Sequence, residues 1–237
     1  MSTKAKQDES TTKGHLDDEL VHLSSACRKE IYEIAGVTSD GVYDVVPDPA
    51  SLAASARRIL VRSIFAYIEA LTFAIKTSAI DHSEILHTAE ELSFVKEEAY
   101  ELNDRGLIRK TKAKLRLLSN LRFAFNLYAK LQGFEYVLNC GGTGWQQLTS
   151  SVKVRDRLTH PKSVADLFVT DDEIQTALSA FFWFDEEIIS LMKSHGGALR
   201  KRVKNLQDKL EACKDEGGEA NRRIPVHKIP TPNGGSN

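Results

Sequence analysis

Apolar residues recur every third or fourth position along most of this chain, the period of an amphipathic helix. Leu16, Leu20, Leu23, Cys27, Ile31 and Ile34 form such a stripe and predict a first helix over residues 15–35, with Gly36 placed to end it. A linker follows over residues 37–49, where Asp40-Gly41 and two prolines mark turns. Leu60, Ile64, Tyr67, Ile68, Leu71 and Ile75 make a broad stripe within a second, strongly apolar helix over residues 51–79, the expected centre of the core. Asp81 or Ser83 is placed to cap a third helix running to about residue 102, with Leu86, Ala89, Leu92, Phe94 and Val95 available for burial. Asn103 and Gly106 then punctuate a turn. A fourth helix is predicted over residues 111–138 from Leu115, Leu118, Leu121, Phe125, Tyr128 and Leu131. Its start carries Arg109, Lys110, Lys112, Lys114, Arg116 and Arg122, a charge unfavourable at a helix N-terminus. Those cations read either as a solvated basic face or as a phosphate-binding surface.

The run Cys140-Gly141-Gly142-Thr143-Gly144 breaks the chain. It has the glycines of a phosphate loop but no following Lys-Ser/Thr, so the nucleotide-binding motif fails. Thr143 and Gln146 are spaced as a capping box for a fifth helix bearing Trp145, Leu148, Val152 and Arg155, which must stop near Thr159 because Pro161 disfavours helical geometry at His160. Thr170 and Glu173 repeat the box, with Asp171 and Asp172 in the first turn, and open a sixth helix. Its apolar surface is Ile174, Leu178, Phe181, Phe182, Ile188 and Leu191, and Gly196-Gly197 is expected to end it. A charged segment over residues 199–214 follows as a loosely attached helix, and the Gly- and Pro-rich remainder is expected to be disordered. Strand alternation and internal repeats are not evident. The predicted fold class is all-α, an antiparallel helical bundle. The expected organisation is a disordered tail over residues 1–15, the bundle over 16–196, and the charged segment with a disordered tail over 197–237.

Composition changes this picture little. Apolar residues make up 41% and charged residues 27% of 237, an ordinary globular balance. A net charge of −1 leaves nucleic-acid or membrane binding to local patches. Cys27, Cys140 and Cys213 have no zinc-ligand spacing and read as free thiols of a reducing compartment. The histidines, including His82, His87 and His195, show no ligand spacing with thiols or carboxylates, so neither metal nor cofactor is expected. The polar N-terminal stretch does not read as a signal peptide, and the apolar run over 59–80 is interrupted by Arg62, Glu69 and Lys76, against a membrane span. A cytoplasmic protein is the expectation.

One stretch can carry chemistry: Arg155-Asp156-Arg157-Leu158-Thr159-His160-Pro161. An imidazole titrates near neutrality and can take or deliver a proton. A guanidinium stays charged and grips phosphate oxygens with a planar fork. Cleavage of RNA through its own 2′-hydroxyl needs a base, an acid and positive charge on the pentacoordinate phosphate. Five residues on an ideal helix turn a side chain by about 140°, so Arg155 and His160 converge only if His160 lies past the helix end. The spacing by itself is common: Arg222 and His227 repeat it in the Pro-rich tail.

The wording VRDRLTHPK between the fifth and sixth helices, with the core-helix segment RSIFAYIEA at residues 62–70, resembles the HEPN superfamily over about residues 51–195. Members are helical bundles with an R-x(4–6)-H motif near the domain's end. The resemblance implies a metal-independent endoribonuclease that leaves a 2′,3′-cyclic phosphate, with a site built across a homodimer. His160 would be the acid/base, Arg155 would stabilise the phosphate, and Asp156, where asparagine is commoner, would hold the geometry. A role in stress response or phage defence, with a regulatory protein partner, is the corresponding expectation.

Plainer readings stand beside it. Arg155 can pair with neighbours of Asp156 or with Glu187 on a helix surface, and His160 can serve as a helix-end cap. Arg62 and Glu69, seven apart on one face, read as an ion pair that fixes packing or as support for a site. Phe181, Phe182, Trp183 and Phe184 read as core or dimer-interface residues. The basic segment with Arg200, Lys201, Arg202 and Lys204 either adds RNA affinity or is a solvated tail. The alternative function is a non-catalytic helical module for dimerisation or protein interaction, through its aromatic sixth helix.

Overall fold

The computed structural model describes residues 15–35, 48–81 and 87–221. Expectations for residues 1–14, Gly36, the linker to residue 47, His82, Ser83, Leu86 and residues 222–237 lie outside these. The chain divides into two compact units, residues 1–195 and 196–237.

In the first unit, α1 (His15–Ile34) is followed by a 3-10 turn (Pro49–Ser51), α2 (Ala54–Asp81) and α3 (Ala89–Val95). A hairpin of β1 (Glu98–Leu102) and β2 (Ile108–Lys112) comes next, then α4 (Leu117–Leu131), α5 (Thr143–Thr159), a second 3-10 turn (Val164–Leu167) and α6 (Asp171–Asn221). The predicted helical bundle is therefore present, with a small antiparallel sheet added to it.

Helix α2 is central because its apolar face is broad. Leu60, Val61, Ile64, Tyr67, Ile68, Leu71, Ile75 and Ala79 are buried on it. It packs against α1, α4 and α5. Large aromatic side chains bridge α6 to this core: Phe181 and Phe184 lie with ring centroids 5.3 and 5.8 Å from Tyr67. Phe182 and Trp183 are half-buried at its edge. One buried polar cluster crosses the core, where the Tyr67 hydroxyl donates to Asp185 at 2.5 Å and Arg28 pairs with the other carboxylate oxygen at 2.9 Å. Burial and that hydrogen bond both raise the Tyr67 pKa, so the phenol keeps its proton.

Several boundaries differ from the sequence expectation. The third helix ends at Val95 and is capped by Thr88 and Glu91 in a reciprocal box, not by Asp81. Residues 98–112, expected as helix at both ends, form the hairpin with Glu98 opposite Lys112 and Leu102 opposite Ile108. Its turn is built by Asn103, whose side-chain oxygen accepts from the amides of Arg105 and Leu107, and by Gly106 at φ 72°. Lys110 pairs with Glu98 at 2.5 Å and Arg109 with Glu101 at 3.7 Å across the strands. Half of the basic run, Arg109, Lys110 and Lys112, thus lies on a strand, while Arg116 stays at the start of α4. Helix α4 starts later, and it ends at Leu131 where Gly133, at φ 64°, lets the amide of Phe134 reach the carbonyl of Ala129 and its own amide reach Lys130.

Helix α5 is capped by Gly142 with no side-chain hydrogen bond, so the expected Thr143–Gln146 box does not form. A side chain at Gly144 would collide with Trp183, whose Cγ lies 2.1 Å from the position a Cβ would take. Gly144→Ala is therefore expected to destabilise the protein by about 1–3 kcal/mol through overpacking, read as a lowered urea midpoint and altered Trp fluorescence. The Thr170–Glu173 box at the start of α6 forms as expected.

The helix does not end at Gly196-Gly197. Two glycines cost roughly 1 kcal/mol each in a helix interior but break no backbone hydrogen bond, and proline, which would, is missing there. The second unit is helical through residue 221, and its Leu199, Val203, Leu206 and Leu210 are exposed.

Candidate active site

Helix α5 buries Trp145, Leu148, Ser151, Val154 and Leu158, and this face fixes its rotation. Arg155 is consequently half-buried, while Asp156, Thr159 and His160 are exposed. The Arg155 guanidinium lies 5.9 Å from the Phe65 ring centroid, donates to Asp156 at 3.0 Å and pairs with Glu69 of α2. Two of its five donors are thus committed, and the others remain for a ligand.

His160 is the C-cap residue of α5 at φ −128°, ψ 60°, and its amide still bonds to the carbonyl of Asp156 at 3.0 Å. The backbone leaves the helix at His160, as the following proline requires. Among the described residues, no hydrogen bond or ion pair joins Arg155 to His160.

The segment that follows is held by arginines. Arg62 donates to the carbonyl of Leu158 at 2.8 Å, which caps the last turn of α5. Arg57 reaches the carbonyls of Leu52, Pro49 and Val169 and pairs with Asp171 at 2.5 Å. Arg58 reaches Leu167, and Arg157 reaches Phe168 and the Glu173 carboxylate at 2.9 Å. Asp166 accepts from the amides of Lys162 and Ser163, which lowers its pKa. These bonds tie down the carbonyls of Leu167, Phe168 and Val169 and the amides of Lys162 and Ser163, so the segment after the histidine is anchored at both ends.

The ion pairs differ from those expected. Arg62 does not pair with Glu69: one holds the end of α5, the other holds Arg155, so both face the candidate segment. Glu187 does not pair with Arg155 but accepts a hydrogen bond from Tyr136 at 2.6 Å. The sequence reading also missed that Arg155 lines an open groove of about 480 Å³ together with Glu69, Lys112, Lys114 and Asn120. The two lysines carried the signal, as a basic run, but it was placed on the wrong element.

Burial would raise the Glu173 carboxyl, but Arg157 and the Thr170 amide and hydroxyl outweigh it and hold the pKa below its usual value. A depressed folded-state pKa contributes stability above the unfolded value and loses it as pH falls through the folded value. Wild type and Glu173→Gln should therefore differ in melting temperature at pH 7 and converge as the pH drops below about 4.3; a gap that persists at pH 2 would contradict this.

Among the described residues no cluster of three or more His, Cys, Asp or Glu is placed to hold a metal ion, and no helix is long and apolar enough to cross a membrane. Cys27 and Cys140 are half-buried and Cys213 is exposed, all as free thiols. In comparisons with known proteins, no family model, curated protein or solved structure matches the chain.

Proposed function

We propose that the protein is a metal-independent endoribonuclease of HEPN type. The observation that carries this reading is the end of α5, where an exposed imidazole at the helix C-cap follows, five residues on, a guanidinium with donors to spare. In the proposed reaction, His160 takes the proton from a ribose 2′-hydroxyl. The resulting oxygen attacks the adjacent phosphorus, and the P–O bond to the 5′ carbon's oxygen breaks, leaving a 2′,3′-cyclic phosphate. Arg155 stabilises the charge on the non-bridging oxygens, and Asp156 orients Arg155. One imidazole cannot reach both the attacking and leaving oxygens at once, so a second copy of the edge, facing the first in a homodimer, supplies the acid. This accounts for the absence, among the described residues, of a hydrogen bond or ion pair between Arg155 and His160: each would serve a cleft shared with the partner copy.

Incubation of the purified protein with mixed single- and double-stranded RNA in EDTA tests the class of reaction. Fragments with cyclic-phosphate 3′ ends are expected. Intact RNA, or cleavage that EDTA stops, would refute it.

The second reading, a non-catalytic interaction module acting through an aromatic surface of α6, finds less to build on. Phe181 and Phe184 are fully buried within the unit, leaving only half-buried Phe182 and Trp183 for a partner.

A further inference from the structure

The groove beside Arg155 has features that the cleavage reaction does not use. Its walls come from α2, α4, α5 and the hairpin, and its volume of about 480 Å³ is within the range that admits a mononucleotide. Both of its carboxylates are engaged. Glu69 pairs with Arg155, and Glu97 pairs at 3.3 Å with the ammonium of Lys76, a side chain with no solvent exposure. Glu97 adopts φ 54°, in the left-handed region that disfavours a residue with a Cβ. Its pairing with a buried ammonium offsets that strain, because an unpaired buried charge is strongly unfavourable.

Glu97 is shared by Lys76 and the largely exposed Lys112, whose ammonium pairs with its other oxygen at 3.9 Å, so the cations at the mouth are only partly balanced. Lys114 has no ion pair among the described residues. Helix α4 also begins at this groove, through Leu117 and Asn120, and Arg116 at its N-cap provides no side-chain hydrogen bond. Its first-turn amides therefore lack the side-chain acceptor that caps most helices. Asn120 also lines the groove, with a buried Oδ1 that has no hydrogen-bond partner. Positive charge and an uncapped helix start thus line one groove, and their shared complement is a phosphate.

We propose that this groove binds a nucleotide phosphate, with Lys112 and Lys114 as its principal ligands. Resting on the endoribonuclease reading, we take that phosphate to be one on the RNA strand next to the scissile group held by Arg155. The groove then sets the strand's direction across the end of α5.

The phosphate could equally belong to a free nucleotide, and the experiment separates the two. Binding of a fluorescein-labelled ten-residue oligouridylate and of UMP is measured by anisotropy and competition, using full-length His160→Ala so that the strand is not cut. The comparison is with the same protein carrying Lys112→Glu and Lys114→Glu, and with a Gln/Gln pair in case charge reversal disturbs the fold; melting curves verify both. The expected result is at least a tenfold loss of oligonucleotide affinity at 50 mM NaCl and a shallower dependence of log Kd on log salt, by about 0.7 per phosphate contact removed. UMP binding as tightly as the oligonucleotide, with the same lysine dependence, would keep the phosphate site and assign it to a free nucleotide. Unchanged affinity and salt slope in both lysine variants, or no binding of either probe by the parent, would overturn the proposal. Cleavage separates this result from the catalytic reading. Lysine-dependent binding by a protein whose wild type cuts no RNA leaves the groove standing alone. Cleavage by wild type with lysine-independent binding leaves only the catalytic edge.

Discussion

His160→Ala is expected to lower the rate of RNA cleavage by about 10²–10⁴-fold, the usual contribution of a positioned acid or base, with the fold intact. The side chain is exposed and makes no hydrogen bond to a described residue, so its removal opens no cavity and orphans no partner. The backbone bond from the residue 160 amide to Asp156 survives the change. Melting temperature and oligomeric state should therefore match wild type while activity collapses. Arg155→Ala should also abolish most activity but less cleanly, because it frees Glu69 and Asp156 to repel a phosphate. Arg155→Lys discriminates between charge and geometry: a single ammonium keeps the charge but loses the planar fork, so activity should stay well below wild type. Undiminished cleavage by His160→Ala would place the chemistry elsewhere.

Phe181→Ala is expected to destabilise the protein by about 3–5 kcal/mol, the cost of deleting a buried ring and leaving part of its volume empty. Phe181 is fully buried, with its ring 6.3 Å from Tyr32, 5.3 Å from Tyr67 and 5.2 Å from Phe182. It therefore joins α1, α2 and α6 in one contact, and the surrounding helices cannot close the gap without shifting each other. Urea unfolding should show a lower midpoint with an unchanged slope. A loss below 1 kcal/mol would mean that the ring is less central than its burial indicates. The same substitution at half-buried Phe182 should cost markedly less.

The helical plan was legible because burial on one face imposes a period on the sequence. The stripe from Leu60 to Ile75 led directly to the central helix, and the Thr170–Glu173 box located the start of α6 within a residue. The hairpin was not legible for the opposite reason: its residues are mostly exposed, so no burial pattern marks the alternation, and Glu-rich residues 97–101 suit a helix locally. The cross-strand pairs Glu98–Lys110 and Glu101–Arg109 decide the outcome, around a local Asn103 turn that the sequence did mark. Gly133 was a readable stop signal that the surrounding apolar spacing obscured. At the candidate site, the exit of the chain at His160 followed from Pro161. The pairing of Glu69 with Arg155 did not, because it spans two helices whose relative rotation no local spacing reveals. The groove escaped notice for the same reason: it exists only once the hairpin folds beside α5.

The arginines that hold the segment after α5 grip main-chain carbonyls, those of Leu158, Leu167, Phe168 and Val169, in preference to side chains. A carbonyl is common to every amino acid. The path of this loop is therefore insulated from changes in most of its own side chains, Ser163 and Asp166 excepted because they cap its turn, whereas loss of any one of Arg57, Arg58, Arg62 or Arg157 would be felt along its length. Sequence drift should accordingly be asymmetric: loose in the loop that bears the candidate histidine's neighbours, and tight in the distant helix that holds it. New surface chemistry can then be tried at exposed positions such as 162, 164 and 168 without the scaffold being renegotiated each time.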